Sequence, residues 1–542
     1  MLRRRRFGWS CIHLRRPFVL AAEVSVMPSL WRAETKPQVF PPLEQDASCD
    51  LAVVGSGIAG LSSAYEAARC GAKVIVIDRR DITDGMTART TAHLVSEIDD
   101  RYSDLIGLVG EDDARLYHES QVAAINRIET VCQDEGITAD FARLPGYLVP
   151  AEPAHMEELQ REYDACRTLE VEVEWAESVP YALAAGLKAL KFANQGRFHP
   201  LKYCAGLVQA IQQRGGRIHG RTAYVGHEEE NGSVVITTER GATLRAGAAL
   251  FATNSPVNDR VAIHTKQEPM RTYAMAARIP RGSVEDALIW DTLWPYHYVR
   301  LQPAGESQDW LIVGGEDHRT GTANDMNERF ARLENWTRER FPGFTGAEHR
   351  WSGQVMEPVD SLPYSGRDGS DRIYVHTGDS GTGMTNAVAG ALNFIALYRN
   401  DKARFAELFD PGRKPKARLS LGEYVKGQGP VVANLAEYVG AGEVDSVEAI
   451  APGEGAILRR GLAKHAVYRA DDGSVTEVSA TCTHAGCIVH WNSFEKCWDC
   501  PCHGSQFQPD GTVLNAPAIK PLAQVDEVPD AEANLEEPHP AM

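Results

Sequence analysis

The 542-residue chain has no apolar run approaching the roughly 20 residues that carry a helix across a bilayer, so no membrane anchor of that kind is expected. It has no excess of basic charge. Lysine and arginine number 56 against 74 aspartates and glutamates, a net charge of −18. A nucleic-acid-binding surface carries a basic stripe instead, so no nucleic-acid partner is expected. Over most of its length the chain also lacks paired cysteines. Cys11, Cys49, Cys70, Cys132, Cys166 and Cys204 are scattered. That excludes a small secreted disulfide scaffold and fits a reducing, cytoplasmic setting. None of the 17 histidines forms a His-x(4)-His pair beside an acid, as a mononuclear iron held by two imidazoles and a carboxylate would need. What is present is ordinary globular material, 43% hydrophobic and 24% charged. The chain is too long for one core, and two or three domains are expected.

The other five cysteines crowd between Thr481 and Phe507, within T-C-T-H-A-G-C and a stretch ending C-P-C-H-G-S-Q-F. Cys482-x-His484 and Cys500-x-x-His503 are mixed pairs. A tetrahedral zinc site also takes two cysteines and two histidines, but its usual spacing groups Cys with Cys and His with His. A [2Fe–2S] centre with two thiolates on one iron and two imidazoles on the other suits mixed pairs. The two loops closely resemble those of the Rieske family. The resemblance implies Cys482, His484, Cys500 and His503 as cluster ligands and a disulfide between Cys487 and Cys502. It also implies a hydrogen bond from Ser505 to cluster sulfur, and a small all-β domain over 441–530 whose third loop begins at Asn515. Where high-potential relatives have a tyrosine this chain has Phe507, so a potential below the respiratory type is expected. Cys497 matches no ligand position and reads as a plain thiol.

Toward the other end, the stretch from Asp50 to Asp78 reads as strand, glycine turn, helix and strand. In its G-x-G-x-x-G, Gly55 permits the tight turn. Gly57 lets the backbone approach a pyrophosphate at the helix N-terminus, and Gly60 lets the helix pack on the strand. Asp78 stands where an acid can accept from a ribose 2′-OH. This unit alone leaves FAD and NAD both open. Two further stretches favour FAD: the small-residue loop Thr83-D-G-M-T-A-R-T-T, and Arg372-I-Y-V-H-T-G-D-S-G-T-G-M-T-N, a strand running into a glycine-rich loop and a helix. Together they resemble the D-amino-acid-oxidase-like superfamily of FAD-dependent oxidoreductases, which includes glycine and sarcosine oxidases. The resemblance implies FAD contacts at Arg79, Thr90 and Thr91, at Val225 and Thr253, and in the closing loop at Gly378, Asp379, Gly381, Thr382, Gly383 and Met384.

Residues 268–320 alternate as antiparallel strands should. Tyr296, Tyr298 and Arg300 share one face by i, i+2 spacing. In amino-acid-oxidising relatives such a sheet offers Tyr and Arg to a substrate carboxylate, so Tyr298 and Arg300 are expected to bind one, the arginine as a bidentate fork. The expected fold class is α/β plus α+β. A Rossmann-like βαβ FAD-binding part (48–100, 195–265 and 350–400) joins an antiparallel-sheet substrate part (101–194 and 266–349), together spanning 48–410. A linker over 411–440, the Rieske domain and an acidic tail over 531–542 follow. Residues 1–47 are expected to be a disordered extension. Their first 26 residues, arginine-rich and without an acid before Glu23, read as a mis-set gene start, a transit peptide or a twin-arginine export signal.

The expected function is oxidation of a small-molecule amine, amino acid or hydroxy acid by hydride transfer to FAD. The cluster would relay electrons singly to a protein, quinone or oxygen acceptor. Electrons flowing from cluster to flavin, and a redox- or iron-sensing cluster, are the alternatives. No general base is evident.

Overall fold

The computed structural model describes residues 28–179, 181, 187–258, 263–414 and 437–525. The expectations for residues 1–26 and 531–542, and for most of the linker, lie outside the described residues.

Apolar β-branched runs build the first sheet. Ala47–Val54 and Val74–Ile77 pair in parallel, and their last four residues are all buried. Thr243–Phe251 joins the other edge of Ala47–Val54, also parallel, and Ile373–Thr377 extends the sheet beyond it. Strands buried on both faces read as continuous hydrophobic runs. The helices Ile58–Arg69, Pro200–Gln213 and Gly383–Tyr398 supply the cover, the first lying between the other two.

The second sheet has nine strands and is mostly antiparallel. Near one edge Gln267–Pro280 pairs with Gln308–Arg319 on its inner side and with the edge strand His349–Pro358 on the other. His93–Leu94 and His349–Pro358 belong to this sheet, although both fall in stretches expected to be nucleotide-binding. One irregularity shapes the site. Arg271 faces His318 and Tyr273 faces Gly315, so Thr272 is opposed by both Glu316 and Asp317. This is a β-bulge, which kinks a strand and re-aims its side chains.

The C-terminal part is all-β, with a three-stranded sheet (Glu454–Arg460, Ala463–Arg469, Val475–Ser479) and a four-stranded one (His490–Asn492, Cys497–Asp499, Gln506–Phe507, Val513–Asn515). Trp491, Trp498 and Phe507 fill its core.

The extension expected over 1–47 is corrected for its described part. Leu30–Glu34 is a short helix whose Leu30 and Trp31 are fully buried. Ser29 donates to the Ala88 carbonyl and the Trp31 indole to that of Thr90. An apolar ring that also carries a donor is a large incentive to dock, so the folded unit begins before the nucleotide motif.

Candidate functional site

A cleft runs between the two large sheets and ends at the C-terminal domain. At its nucleotide end the turn after Ala47–Val54 leaves no room for side chains. Gly55 has φ +107°, and a Cβ there would come 2.2 Å from the Ala252 carbonyl oxygen. A Cβ on Gly60 would come 2.0 Å from the Gly55 carbonyl oxygen, so Gly60 serves helix packing and does not border the cleft. Gly57 begins the helix Ile58–Arg69 without a side-chain cap, and this first turn opens onto the cleft. Asp78 borders the cleft too. Its carboxylate accepts from the Ser56 N–H at 2.7 Å and the Arg80 N–H at 3.0 Å, which holds the loop in place.

Arg79, Thr90, Thr91 and Thr253 line the cleft, and so do Asp379, Gly381, Gly383 and Met384 of the closing loop. Three other expected contacts lie off its wall. Tyr224 borders the cleft in place of the expected Val225. Gly378 forms the turn before the loop, with φ +75°. Thr382 is buried behind the loop, bonded to the Tyr117 hydroxyl and the Asn386 amide.

The substrate end is formed by Tyr296, Tyr298, Thr272 and Trp290 together with Glu97, Asp99, Asp317 and Glu357. Arg300 is not there, which corrects the expectation of a carboxylate clamp. Its fully buried guanidinium donates to the carbonyls of Ala92 (2.6 Å) and Phe198 (3.0 Å), bonds Gln302, and lies over the Trp31 ring. A guanidinium whose donors are spent on backbone oxygens has none left for a substrate. Tyr298 does border the cleft, its hydroxyl 2.6 Å from that of Thr272. The Tyr296 hydroxyl donates to Asp99 at 2.8 Å. A Cβ on Gly381 would fall 1.2 Å from an Asp99 oxygen, so only glycine lets the closing loop approach this acid.

Burial pushes the Asp99 carboxyl up to about 6, against the pull of the Tyr296 hydroxyl, and the Asp317 carboxyl up to about 7. Burial also raises Glu97 and Glu357 well above the ordinary range; Asp99, Asp100 and Asp317 add to the push on Glu357.

In the C-terminal domain Cys482 and Cys500 are buried, and the rings of His484 and His503 stand 4.9 Å apart at 90°. Cys487 and Cys502 are joined by a disulfide, and the Cys500 sulfur lies within 4.8 Å of both bridge sulfurs. A hydrogen bond from Cys500 brings the Cys482 thiol down to about 7 against the effect of burial; Ser505 also contributes. Burial, then the neighbouring His484, His264 and Arg319, push the His503 imidazole down to about 3, and its Nδ1 has no hydrogen-bond partner. A thiolate-forming cysteine and a neutral imidazole with a bare nitrogen are the forms that bind metal, so the residues fit a cluster. The Ser505 hydroxyl oxygen also accepts from the Ala518 N–H at 3.0 Å, tying the third loop to the second.

Several interface residues have no counterpart in the sequence reading. His264, just before Gln267–Pro280 of the second sheet, packs edge-on against His484 (4.7 Å) and His503 (5.7 Å). Glu495 of the C-terminal domain is paired with Arg89 and accepts from the Ser352 hydroxyl at 2.6 Å. Arg271, fully buried, pairs with Asp499 at 3.2 Å and reaches toward Glu495 at 3.8 Å. Burial raises Glu495, but Arg89 and Arg271 outweigh it and leave the carboxyl below the ordinary range. Gln354 donates to the Gly504 carbonyl at 2.9 Å, and a Cβ on Gly504 would strike that amide. Leu514 of the strand Val513–Asn515, with Asn515 and Ala516 where the third loop begins, are themselves part of the cleft wall.

Comparison with known proteins bears on both halves. The model of the FAD dependent oxidoreductase family matches residues 50–395, and that of the Rieske [2Fe-2S] domain matches residues 441–526. A putative Rieske 2Fe-2S iron-sulfur protein of Bacillus subtilis (YhfW) is 29% identical over 92% of this chain and 97% of its own length. Gamma-glutamylputrescine oxidoreductase of Escherichia coli is 26% identical over 67% of this chain and 86% of its own. The crystal structure of glycine oxidase from Geobacillus kaustophilus superposes with a TM-score of 0.57 at 18% identity, covering 68% of this chain and 99% of that one. The mixed Cys/His pairs lie inside the stretch that the Rieske model matches, and the two cofactors are FAD and a [2Fe–2S] cluster. With its first match covering more than half of its length, this chain belongs to the FAD-dependent oxidoreductase family and carries a C-terminal Rieske domain.

Proposed function

We propose that the protein oxidises a small molecule bearing an amine or hydroxyl group and passes the electrons singly to the Rieske cluster, which hands them to a further acceptor. When bound, FAD supplies a two-electron hydride acceptor and the cluster a one-electron carrier. In this reading Gly55, Gly57 and the first turn of the following helix hold the pyrophosphate, and Asp78 a ribose hydroxyl. Arg79, Thr90, Thr91, Thr253, Asp379, Gly381, Gly383 and Met384 complete the cradle. Cys482, His484, Cys500 and His503 hold the cluster, with Ser505 bonded to its sulfur environment. Tyr298 and Tyr296 orient the substrate.

The observation that carries the relay is the shared wall. The third Rieske loop closes the cleft of the flavoprotein part, and both cluster histidines pack on His264 of that part. The side chains of His484 and His503, which would hold the cluster, face the chain's own flavoprotein half. Stopped-flow mixing under anaerobic conditions tests the relay, with a screen of amines, amino acids and hydroxy acids. Flavin bleaching followed by the EPR signal of the reduced cluster is expected. A flavin that bleaches beside a persistently oxidised cluster would mark the cluster as structural or as a sensor.

A further inference from the structure

We propose that the substrate end of the cleft is a cation site, recognising a protonated amino group and rejecting carboxylates; this rests on the reading above and names its substrate class. Four carboxylates line this end, from three separate parts of the chain: Glu97 and Asp99 shortly after His93–Leu94, Asp317 at the bulge, and Glu357 on His349–Pro358, across Gln267–Pro280 from Asp317. Among the described residues the arginines bordering the cleft are Arg79, Arg80 and Arg89. Arg79 and Arg80 directly follow Asp78, at the nucleotide end, and Arg80 and Arg89 reach toward Asn515 and Glu495. Arg300 faces the other way onto backbone carbonyls.

The acids are not arranged to satisfy one another. Glu97 is 2% exposed and its Oε1 has no hydrogen-bond partner; the nearest cation, Arg101, is 3.9 Å away. The Oδ1 of Asp317 is likewise buried without one. Asp99 accepts from Tyr296. A buried acceptor left without a donor costs free energy until a ligand supplies one. A group of such acceptors around one space is completed by an ammonium, which has three donors and a positive charge. Once ionised, the same wall repels a substrate carboxylate. The raised carboxyls of Asp99 and Asp317 agree with this: burial outweighs Arg101 beside the one and His297 and Arg329 beside the other, so a further cation would favour their charged forms.

The test uses the anaerobic holoprotein and four probes of similar length: 1,4-diaminobutane, butylamine, butanoate and butanol. Binding is read from perturbation of the flavin absorption and by equilibrium dialysis. The two amines are expected to bind and butanoate not to. Asp317→Asn and Glu357→Gln should each weaken 1,4-diaminobutane by about tenfold or more, the worth of one charged hydrogen bond. Both should leave the flavin content and the visible spectrum of the holoprotein unchanged, which shows that the protein is still folded. Tighter binding of butanoate than of butylamine, or amine binding indifferent to both substitutions, would overturn the proposal. Photoreduction of the flavin without substrate keeps the two readings apart. If the cluster is then reduced while no amine binds, the cation site alone fails. If amines bind and the cluster stays oxidised, the relay alone fails.

Discussion

At the scale of single residues, the acids of the cleft have a consequence for pH. The Asp99 and Asp317 carboxyls sit near 6 and 7 when folded, above the ordinary range they regain on unfolding. Between the ordinary range and those values the folded protein holds protons that the unfolded chain has released. Stability from this source therefore falls as pH rises through that window. Around Asp99 stand Tyr296, Asp100 and Arg101; around Asp317 stand Thr272, His297 and Arg329. A bound cation offsets the loss. Thermal unfolding with 1,4-diaminobutane should show a larger rise in Tm at pH 8 than at pH 5; an equal rise would remove these two carboxylates from the site. A second residue-scale expectation concerns Ser505. Its hydroxyl contributes to lowering Cys482 and accepts from Ala518. Ser505→Ala should lower the cluster potential by roughly 40 mV, the one-electron equivalent of one ordinary hydrogen bond, as measured by redox titration followed by EPR. Phe507, fully buried beside the cluster loops, offers no hydroxyl to compensate.

At the scale of elements, the bulge and the interface decide what the sequence could reveal. The glycine turn, the cluster loops and the closing loop are legible because each does its chemistry with contiguous residues under tight steric limits. Gly55 and Gly381 are examples, where a Cβ would strike backbone or an acid. Arg300 is misread because strict alternation puts it on the face of Tyr298 without saying how far along the strand the cleft extends. Carbonyls of Ala92 and Phe198 capture it first. Asp317 is missed because the bulge opposite Thr272 breaks the period of two on which such reading depends. Glu495 and Asp499 lie in the hairpin between the two cluster loops, and nothing local distinguishes them from solvent-facing acids. Their partners Arg89 and Arg271 are hundreds of residues away in sequence. Removing one member of a buried pair leaves the other's charge uncompensated, so Arg271→Ala should cost about 3–5 kcal/mol. Chemical denaturation would check this; a change under about 1 kcal/mol, the size of an exposed pair, would show that water or rearrangement replaces it.

At the scale of the whole molecule, the two cofactor domains meet through ion pairs and bonds to backbone carbonyls. Arg271, Gln354 and Arg319 reach from the flavoprotein half to Asp499, Gly504 and Pro501. Such contacts demand one orientation, as directional bonds do. Electron transfer from flavin to cluster within this arrangement should be first order and independent of protein concentration. Its rate should also be insensitive to salt, because buried charges are little screened. A rate that rises with concentration in stopped-flow would place the transfer between molecules. The segment around Trp31 adds to the same picture. Its ring lies under Arg300 and its indole bonds Thr90, so a chain cut to begin at the nucleotide motif would lose part of its core.

The stretch at Leu514–Ala516 also bears on how the holoprotein is put together. Because it forms one wall of the flavin cleft, the C-terminal domain bounds the space that the dinucleotide must enter. A chain that seats this domain first closes the cleft before the dinucleotide has entered. Flavin uptake is therefore expected to precede docking, which brings His484 and His503 against His264; equal flavin uptake by protein with and without its cluster would contradict that order.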